Sequence, residues 1–363
     1  MWAAIVTVAM LLLVGMLCYL VRCFHRFSVF QRLSERNRAL SWVAAAVPVA
    51  ALGLLALVNV PTLLVVAVHL CAAFLLARLA GCIVRKVAGK RLSDNALGIT
   101  ALVVTAFYLG IGVYQMYHIC ETHYTLESPK LQQNLRVAVL SDSHLSLTLD
   151  GAHFSELVDR VQAAEPDVVV LVGDFVDDDS DREDMIDACA ALGRLKTTCG
   201  VFCVFGNHDD GYYDYRNFTS DELREELKKN GVVTLEDQYI LLDDTFYLVG
   251  RRDRSWSGRL DMKTMTGELE ASKYVIVLDH QPNDYAAEAA TCADLVLSGH
   301  THGGHIFPTG QIGLLIGAND QCYGMEVRNG TTFIVTSGVS GWAIPFKTGT
   351  WSEFVVIDVR PAA

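Results

Sequence analysis

Three histidines fall within six residues of the stretch Leu297-Ser-Gly-His-Thr-His-Gly-Gly-His305. Imidazole nitrogens bind metal ions and move protons near neutral pH. The apolar run before them, Asp294–Leu297, reads as a buried strand. A strand that ends in a tight loop can aim alternate side chains at one point. Four other apolar runs end in polar clusters: Ser141-Asp-Ser-His144, Gly173-Asp174, Gly206-Asn-His-Asp209 and Asp279-His-Gln-Pro282. Asp142, His144, Asp174, Asn207, His208, His280, His300 and His302 together offer carboxylate, imidazole and amide oxygen, a mixture suited to Mn, Zn or Fe. Seven ligands sharing one carboxylate make two sites of four protein ligands each. Two ions ~3.5–4 Å apart clamp both oxygens of an in-line phosphoryl displacement and acidify a bound water.

Positioning these residues falls to alternating strands and helices. Leu135–Leu140, Asp167–Val172 and Val201–Phe205 read as buried strands. Helical patterns follow over Gly151–Ala164, Arg182–Leu195 and Ser220–Asn230, the last capped by Ser220 and stopped by Gly231. Such alternation implies parallel pairing in a layered α/β domain. In open α/β sheets, function gathers at the carboxyl ends of strands. After Gly231 short strands dominate: Val232–Leu235, Tyr239–Leu242, Thr245–Val249, Tyr274–Leu278, Asp294–Leu297, Thr331–Thr336 and Glu353–Val359. Glu121–Asn134 reads as a polar linker.

Asp-x-His, Gly-Asp, Gly-Asn-His-Asp, His and Gly-His-x-His, in that order within Leu135–Val359, resemble the calcineurin-like metallophosphoesterases. The Gly-His-Thr-His-Gly-Gly signature and the Gly338–Lys347 segment are most similar to the membrane-anchored YkuE/YaeI-like subgroup and its animal transmembrane relatives. The resemblance implies an α/β/β/α metallophosphoesterase sandwich with a dinuclear metal centre. In that pattern Asp142, His144 and His302 hold one divalent transition-metal ion (Mn, Zn or Fe). Asn207, His280 and His300 hold the other, and Asp174 bridges them. His208 faces the scissile phosphate, and Asp209 orients its imidazole. The expected reaction is hydrolysis of a phosphate mono- or diester by a hydroxide bridging the two ions.

The N-terminal third differs in kind. Residues 1–118 hold ten of the chain's 29 Lys/Arg and two of its 41 Asp/Glu, so the net charge of −12 is concentrated in the rest. Four apolar runs lie there, about 1–21, 41–60, 62–84 and 95–119, and roughly 20 apolar residues suffice to cross a bilayer. No Lys or Arg precedes Arg22, so the first run reads as an uncleaved anchor and not a signal peptide. Arg22–Arg38 and Arg85–Arg91 form basic loops, whereas the connection around Pro61 is uncharged. Both basic loops belong in the cytoplasm. This expects a multi-pass protein of the cell membrane: residues 1–120 form the transmembrane region, 121–134 a linker, and 135–363 an extracytoplasmic catalytic domain.

An acidic surface argues against nucleic-acid binding, which needs cations along phosphates. A phosphoester substrate is expected instead, lipid- or cell-envelope-linked. Arg251, Arg254, His305 and Lys347 are candidate substrate contacts; His305 stands where the subgroup often has Gln. The run Asp177–Asp181 reads as a solvated loop that caps the next helix, and Trp342, Pro345 and Phe346 as loop packing or an apolar rim. Six cysteines follow the apolar runs without a spacing that dictates pairing or zinc binding. Two alternatives remain at this level. One is a pyrophosphohydrolase of a UDP-diacylglucosamine-type lipid A precursor, which requires a cytoplasmic site. The other is a non-catalytic membrane receptor or scaffold.

Overall fold

The structure, a computed structural model, describes residues 2–362. It divides into two compact units, one up to Gly112 and one over Val113–Ala363.

The first unit is helical: α1 Trp2–His25, α2 Ser28–Arg36, α3 Arg38–Gly53, α4 Val60–Ala88 and most of α5 Asp94–Tyr117. Among the described residues, four helical segments are long and apolar enough to cross a membrane: Thr7–His25, Arg38–Leu57, Val60–Ala88 and Asp94–Tyr117. The chain is accordingly a membrane protein. Polar caps mark where helices start. Asn37 Oδ1 accepts from Leu40 N (3.0 Å) ahead of α3, and Asn59 Oδ1 from Thr62 N (2.7 Å) ahead of α4. Each offers an oxygen to an amide that has no partner within its helix. Gly89 ends α4 in the left-handed conformation. Helix α2 lies in the first basic stretch and buries none of its residues.

The second unit contains two six-stranded sheets. Its strands are β1 Cys120–Ser128, β2 Leu135–Leu140, β3 Val168–Val172, β4 Gly200–Val204, β5 Val232–Thr234, β6 Gln238–Leu242, β7 Phe246–Gly250, β8 Tyr274–Leu278, β9 Leu295–Ser298, β10 Gly324–Arg328, β11 Thr331–Val335 and β12 Glu353–Pro361. The first sheet runs β1-β12-β2-β3-β4-β5 and the second β10-β11-β9-β8-β7-β6. β2 to β5 are parallel, as are β7, β8, β9 and β11.

Successive side chains of a strand face opposite sides, and both sides are covered here. Val168, Val170 and Val172 enter the core between the sheets, with Leu248, Ile276, Leu278 and Leu297 from the second sheet. Val169 and Leu171 face the other way, onto α6 Gly151–Ala163, α7 Arg182–Leu192 and α8 Ser220–Lys229. Val275, Val277 and Val296 turn toward α9 Met262–Thr266 and α10 Tyr285–Glu288. Burial on both faces explains why these strands read as unbroken apolar runs. The layers are α/β/β/α.

Three details differ from the sequence reading. Cys120–Ser128 is not a linker but a strand parallel to β12. It alternates half-buried with exposed residues, which suits an edge. The cap of α8 is Thr219 and not Ser220: Thr219 Oγ1 accepts from Glu222 N while Glu222 accepts from Thr219 N. Strand β10, with its alternating exposure, is additional.

Candidate metal centre

Each chemical cluster follows a strand: β2 leads to Asp142 and His144, β3 to Asp174, β4 to Asn207 and His208, β8 to His280, and β9 to His300 and His302. Backbone bonds join these ends. Asp142 N donates to Gly173 O (3.0 Å), His144 N to Asp174 O (3.2 Å) and Gly299 N to His280 O (3.0 Å). Asp142, His144, Asp174, His300 and His302 all have positive φ, between 38° and 68°. Non-glycine residues rarely occupy this region, and each case costs about 1–3 kcal/mol. Two glycines permit the close approach. A Cβ on Gly206 would lie 2.2 Å from Asp174 Oδ1, and one on Gly299 2.3 Å from Asp142 Oδ2.

The side chains form two groups, Asp142–His144–His302 and Asp174–His280–His300, with donor atoms in each group all within 4.8 Å of one another. Asp174 Oδ2 lies 3.0 Å from His280 Nε2 and 3.7 Å from His144 Nε2, so it faces both groups. Its other oxygen, Oδ1, accepts from His208 N at 2.9 Å. Asp142 Oδ1 lies 3.6 Å from His302 Nε2. His300 N donates to both Asp142 oxygens (2.9 and 3.1 Å), and Ser141 Oγ donates to Oδ2 (2.7 Å).

Three imidazoles have their tautomers set by acceptors. His280 Nδ1 donates to Val172 O (2.8 Å), His144 Nδ1 to Asp177 Oδ2 (3.2 Å) and His302 Nδ1 to Ser340 O (3.2 Å). An imidazole that donates through Nδ1 offers a lone pair at Nε2, as metal-binding histidines do. His144 Nε2 and Asn207 Oδ1 are buried without a hydrogen-bond partner, and His280 Nε2 is buried facing Asp174 Oδ2 at 3.0 Å. Buried polar atoms are normally paired. Lone pairs facing carboxylates at short range are what a cation stabilises, so these residues fit the ions that the sequence pattern implies.

Electrostatics agrees with that fit. Burial opposes charge on His280, but Asp174 and Asp142 outweigh it and hold its pKa well above the ordinary imidazole value. Burial likewise works against an ionised Asp174, yet His280, His144 and His208 hold its pKa well below the carboxylate range. His280 and Asp174 therefore form a buried ion pair, and a cation held here would take the place of the extra proton.

Several neighbours have roles other than those expected from sequence. Asp209 does not orient His208. Its Oδ2 accepts from Gly206 N (2.7 Å) and Asp174 N (2.8 Å), and its Oδ1 from Phe175 N (2.8 Å) and Val176 N (3.0 Å). It thereby ties the end of β3 to the end of β4. The acidic run is only partly solvated. Asp181 caps α7, but Asp177 and Asp178 are buried, Asp177 against His144 and Asp178 accepting from Tyr212 N and Tyr213 N. Asp177 lies three residues beyond Asp174, and that proximity was its one signal in the sequence. Asn207 Nδ2 donates to Tyr212 Oη at 3.0 Å, which turns its oxygen away from the tyrosine.

The His208 ring is half-buried, with its centroid 5.1 Å from that of His144, 5.2 Å from Tyr212 and 5.3 Å from exposed Trp342. Burial lowers its pKa. Of the candidate substrate contacts, Arg251 and Lys347 are enclosed. Arg251 pairs with Asp279 (2.8 Å), Asp284 (2.9 Å) and Glu288 (3.1 Å). Lys347 donates to Ser337 O (2.6 Å) and Gly338 O (3.3 Å), with its pKa pushed down to about 7 by burial. Both cations serve internal structure. Arg254 is exposed, on the wall of a small cavity shared with Arg251 and Arg259. His305 packs against His302, with ring centroids 5.3 Å apart; its Nε2 is buried without a partner, and its pKa falls to about 3 through burial and the charge of Lys347. Phe346 is buried packing.

The family model described as calcineurin-like phosphoesterase matches residues 135–304. A metallophosphoesterase of Aquifex aeolicus is 32% identical over 69% of this chain and 96% of its own length. One from Campylobacter jejuni is 30% identical over 65% of this chain and 62% of its own. A Danio rerio transmembrane protein with metallophosphoesterase domain is 28% identical over 76% of this chain and 65% of its own. The match thus spans about three fifths of the length of the Campylobacter and Danio relatives. With its five strand-end clusters and near full-length likeness to the Aquifex protein, this chain belongs to the calcineurin-like metallophosphoesterases.

Proposed function

We propose that the chain is a membrane-anchored, dinuclear metal-dependent hydrolase of phosphate mono- or diesters. The observation that carries this reading is the pair of buried, unpartnered donor atoms, His144 Nε2 and Asn207 Oδ1, beside His280 Nε2 and the doubly facing Asp174. Asp142, His144 and His302 would hold one divalent ion and Asn207, His280 and His300 the other, with Asp174 between. Such ions supply Lewis acidity toward phosphoryl oxygens and lower the pKa of water. The chain's own groups do the remainder. His208 donates a hydrogen bond to a phosphoryl oxygen and protonates the leaving oxygen. Asp177, Val172 O and Ser340 O keep three imidazoles aimed. Asp209 holds the Asp174 turn. Arg254 and His305 stay as candidate substrate contacts.

The catalytic domain begins at β1 in this reading, so the span 121–134 belongs to it. The placement of the basic loops supports a cell-membrane protein with its catalytic domain outside the cytoplasm. Metal analysis of the purified full-length chain tests the first reading: about two equivalents of Mn, Zn or Fe are expected, together with hydrolysis of an aryl phosphodiester. A metal-replete preparation that binds none favours the scaffold reading. Reporter fusions between Arg22 and Leu40 should report inside, and fusions after Asn134 outside. The reverse result moves the site to the cytoplasm and favours the lipid A precursor.

A further inference from the structure

We propose that the phosphoester is carried by a membrane lipid and reaches His208 over a lip formed by residues 341–351; this rests on the phosphoesterase reading above. All of the contacts that follow lie within Val113–Ala363.

One wall of the site is the segment after β11. Gly338 packs on Asp142, where an added Cβ would lie 2.6 Å from the aspartate Cβ. Ser340 O holds His302, and Trp342 stands beside His208, 47% exposed. The same segment is seated on residues 115–120. A Cβ on Gly341 would lie 2.6 Å from Met116 Cε, and Met116 is fully buried. Ser352 Oγ donates to Met116 O (2.8 Å), Ser352 N to Gln115 O (3.0 Å), and Cys120 N to Ser352 O (2.7 Å). Trp351 packs edge-on against Tyr114, with centroids 5.6 Å apart.

Residues 114–117 are the last turn of α5, whose 24 residues are long and apolar enough to cross a membrane. The wall of the site is therefore built on the turn where this helix reaches its polar end. Tyr114, Tyr117, Trp342 and Trp351 are all exposed around that turn. Tyrosine and tryptophan concentrate at the headgroup level because each joins an apolar ring to a polar tip. A soluble substrate needs no such surface, whereas a lipid headgroup meets it on leaving the acyl region. Arg251 and Lys347 are enclosed, so these exposed rings add an apolar surface beside the polar groups that would meet the phosphate.

The test uses the full-length, metal-loaded chain in phosphatidylcholine vesicles containing phosphatidic acid or phosphatidylglycerol, with bis-p-nitrophenyl phosphate as the soluble comparison. The rate on the vesicle-borne ester should follow its mole fraction in the bilayer at fixed bulk concentration. In a Trp342→Ala/Trp351→Ala variant, the ratio of lipid to soluble rate should fall about tenfold. An unchanged ratio, or hydrolysis of the soluble ester but of neither lipid, overturns the proposal. Failure on the soluble ester as well overturns the phosphoesterase reading itself.

Discussion

The two groups of the centre differ in how they meet solvent. Asp142, His144 and His302 are buried throughout, and other residues fix each of them: Ser141 and His300 N on Asp142, Asp177 on His144, and Ser340 O on His302. In the second group Asp174 and His280 are buried but His300 is half-buried, and so is Asn207, which the family pattern assigns to this side. Its brace, Tyr212, is 56% exposed. A closed position derives part of its affinity from the residues behind its ligands. An open position depends more on the ligands themselves.

The largest effect should come from the one residue both groups share. Asp174→Ala should remove both ions and reduce hydrolysis to background, read by metal analysis and an aryl phosphodiester assay. Retention of one full equivalent would show that the groups are independent. His208→Ala removes no ligand of either group and keeps the backbone N–H on Asp174, so both ions should remain while kcat falls about 10²–10⁴-fold; normal turnover would remove its assigned role. Asp177→Asn keeps the shape of the His144 support but loses its charge. One of the two ions should bind about 10–100-fold more weakly, as for other outer supports of metal ligands, and the second equivalent should be unaffected in a chelator titration. Tyr212→Phe should act on the open side alone, and by roughly a few-fold, since a lost hydrogen bond at an exposed site costs about 0.5–1.5 kcal/mol. If Asp177→Asn and Tyr212→Phe weaken the same ion, the comparison of closed and open positions fails.

The candidate ligand set is legible in the sequence because each of its residues follows an apolar run and the runs are short and regular. Residues such as Asp142 and His300 needed only their position at a strand end. Supporting roles were not legible. Asp209 stands beside His208 in sequence, yet its carboxylate faces the amides of two strand ends, a tertiary fact. Asp177 sits in a run of acids that reads as solvated, and only the fold puts it behind His144. Arg251 and Lys347 read as candidate substrate contacts; their carboxylate and carbonyl partners come from other segments of the chain. Strand β1 was missed because an edge strand has a half-buried polar alternation that resembles a linker. The layer order was accessible only through the family resemblance, since periodicity gives strands but not which sheet each joins.

Asp209 has a consequence of another kind. One carboxylate with four acceptor positions engages amides at the ends of both β3 and β4. An amide in its place has an NH2 group that would confront two backbone N–H groups, each left unsatisfied at about 1–3 kcal/mol. A catalogue of conserved ligands would score Asp209→Asn as an intact enzyme, since every metal-binding side chain is still present. The defect would lie in the spacing between β3 and β4, which makes this position a hidden point of failure when the site is copied onto another scaffold.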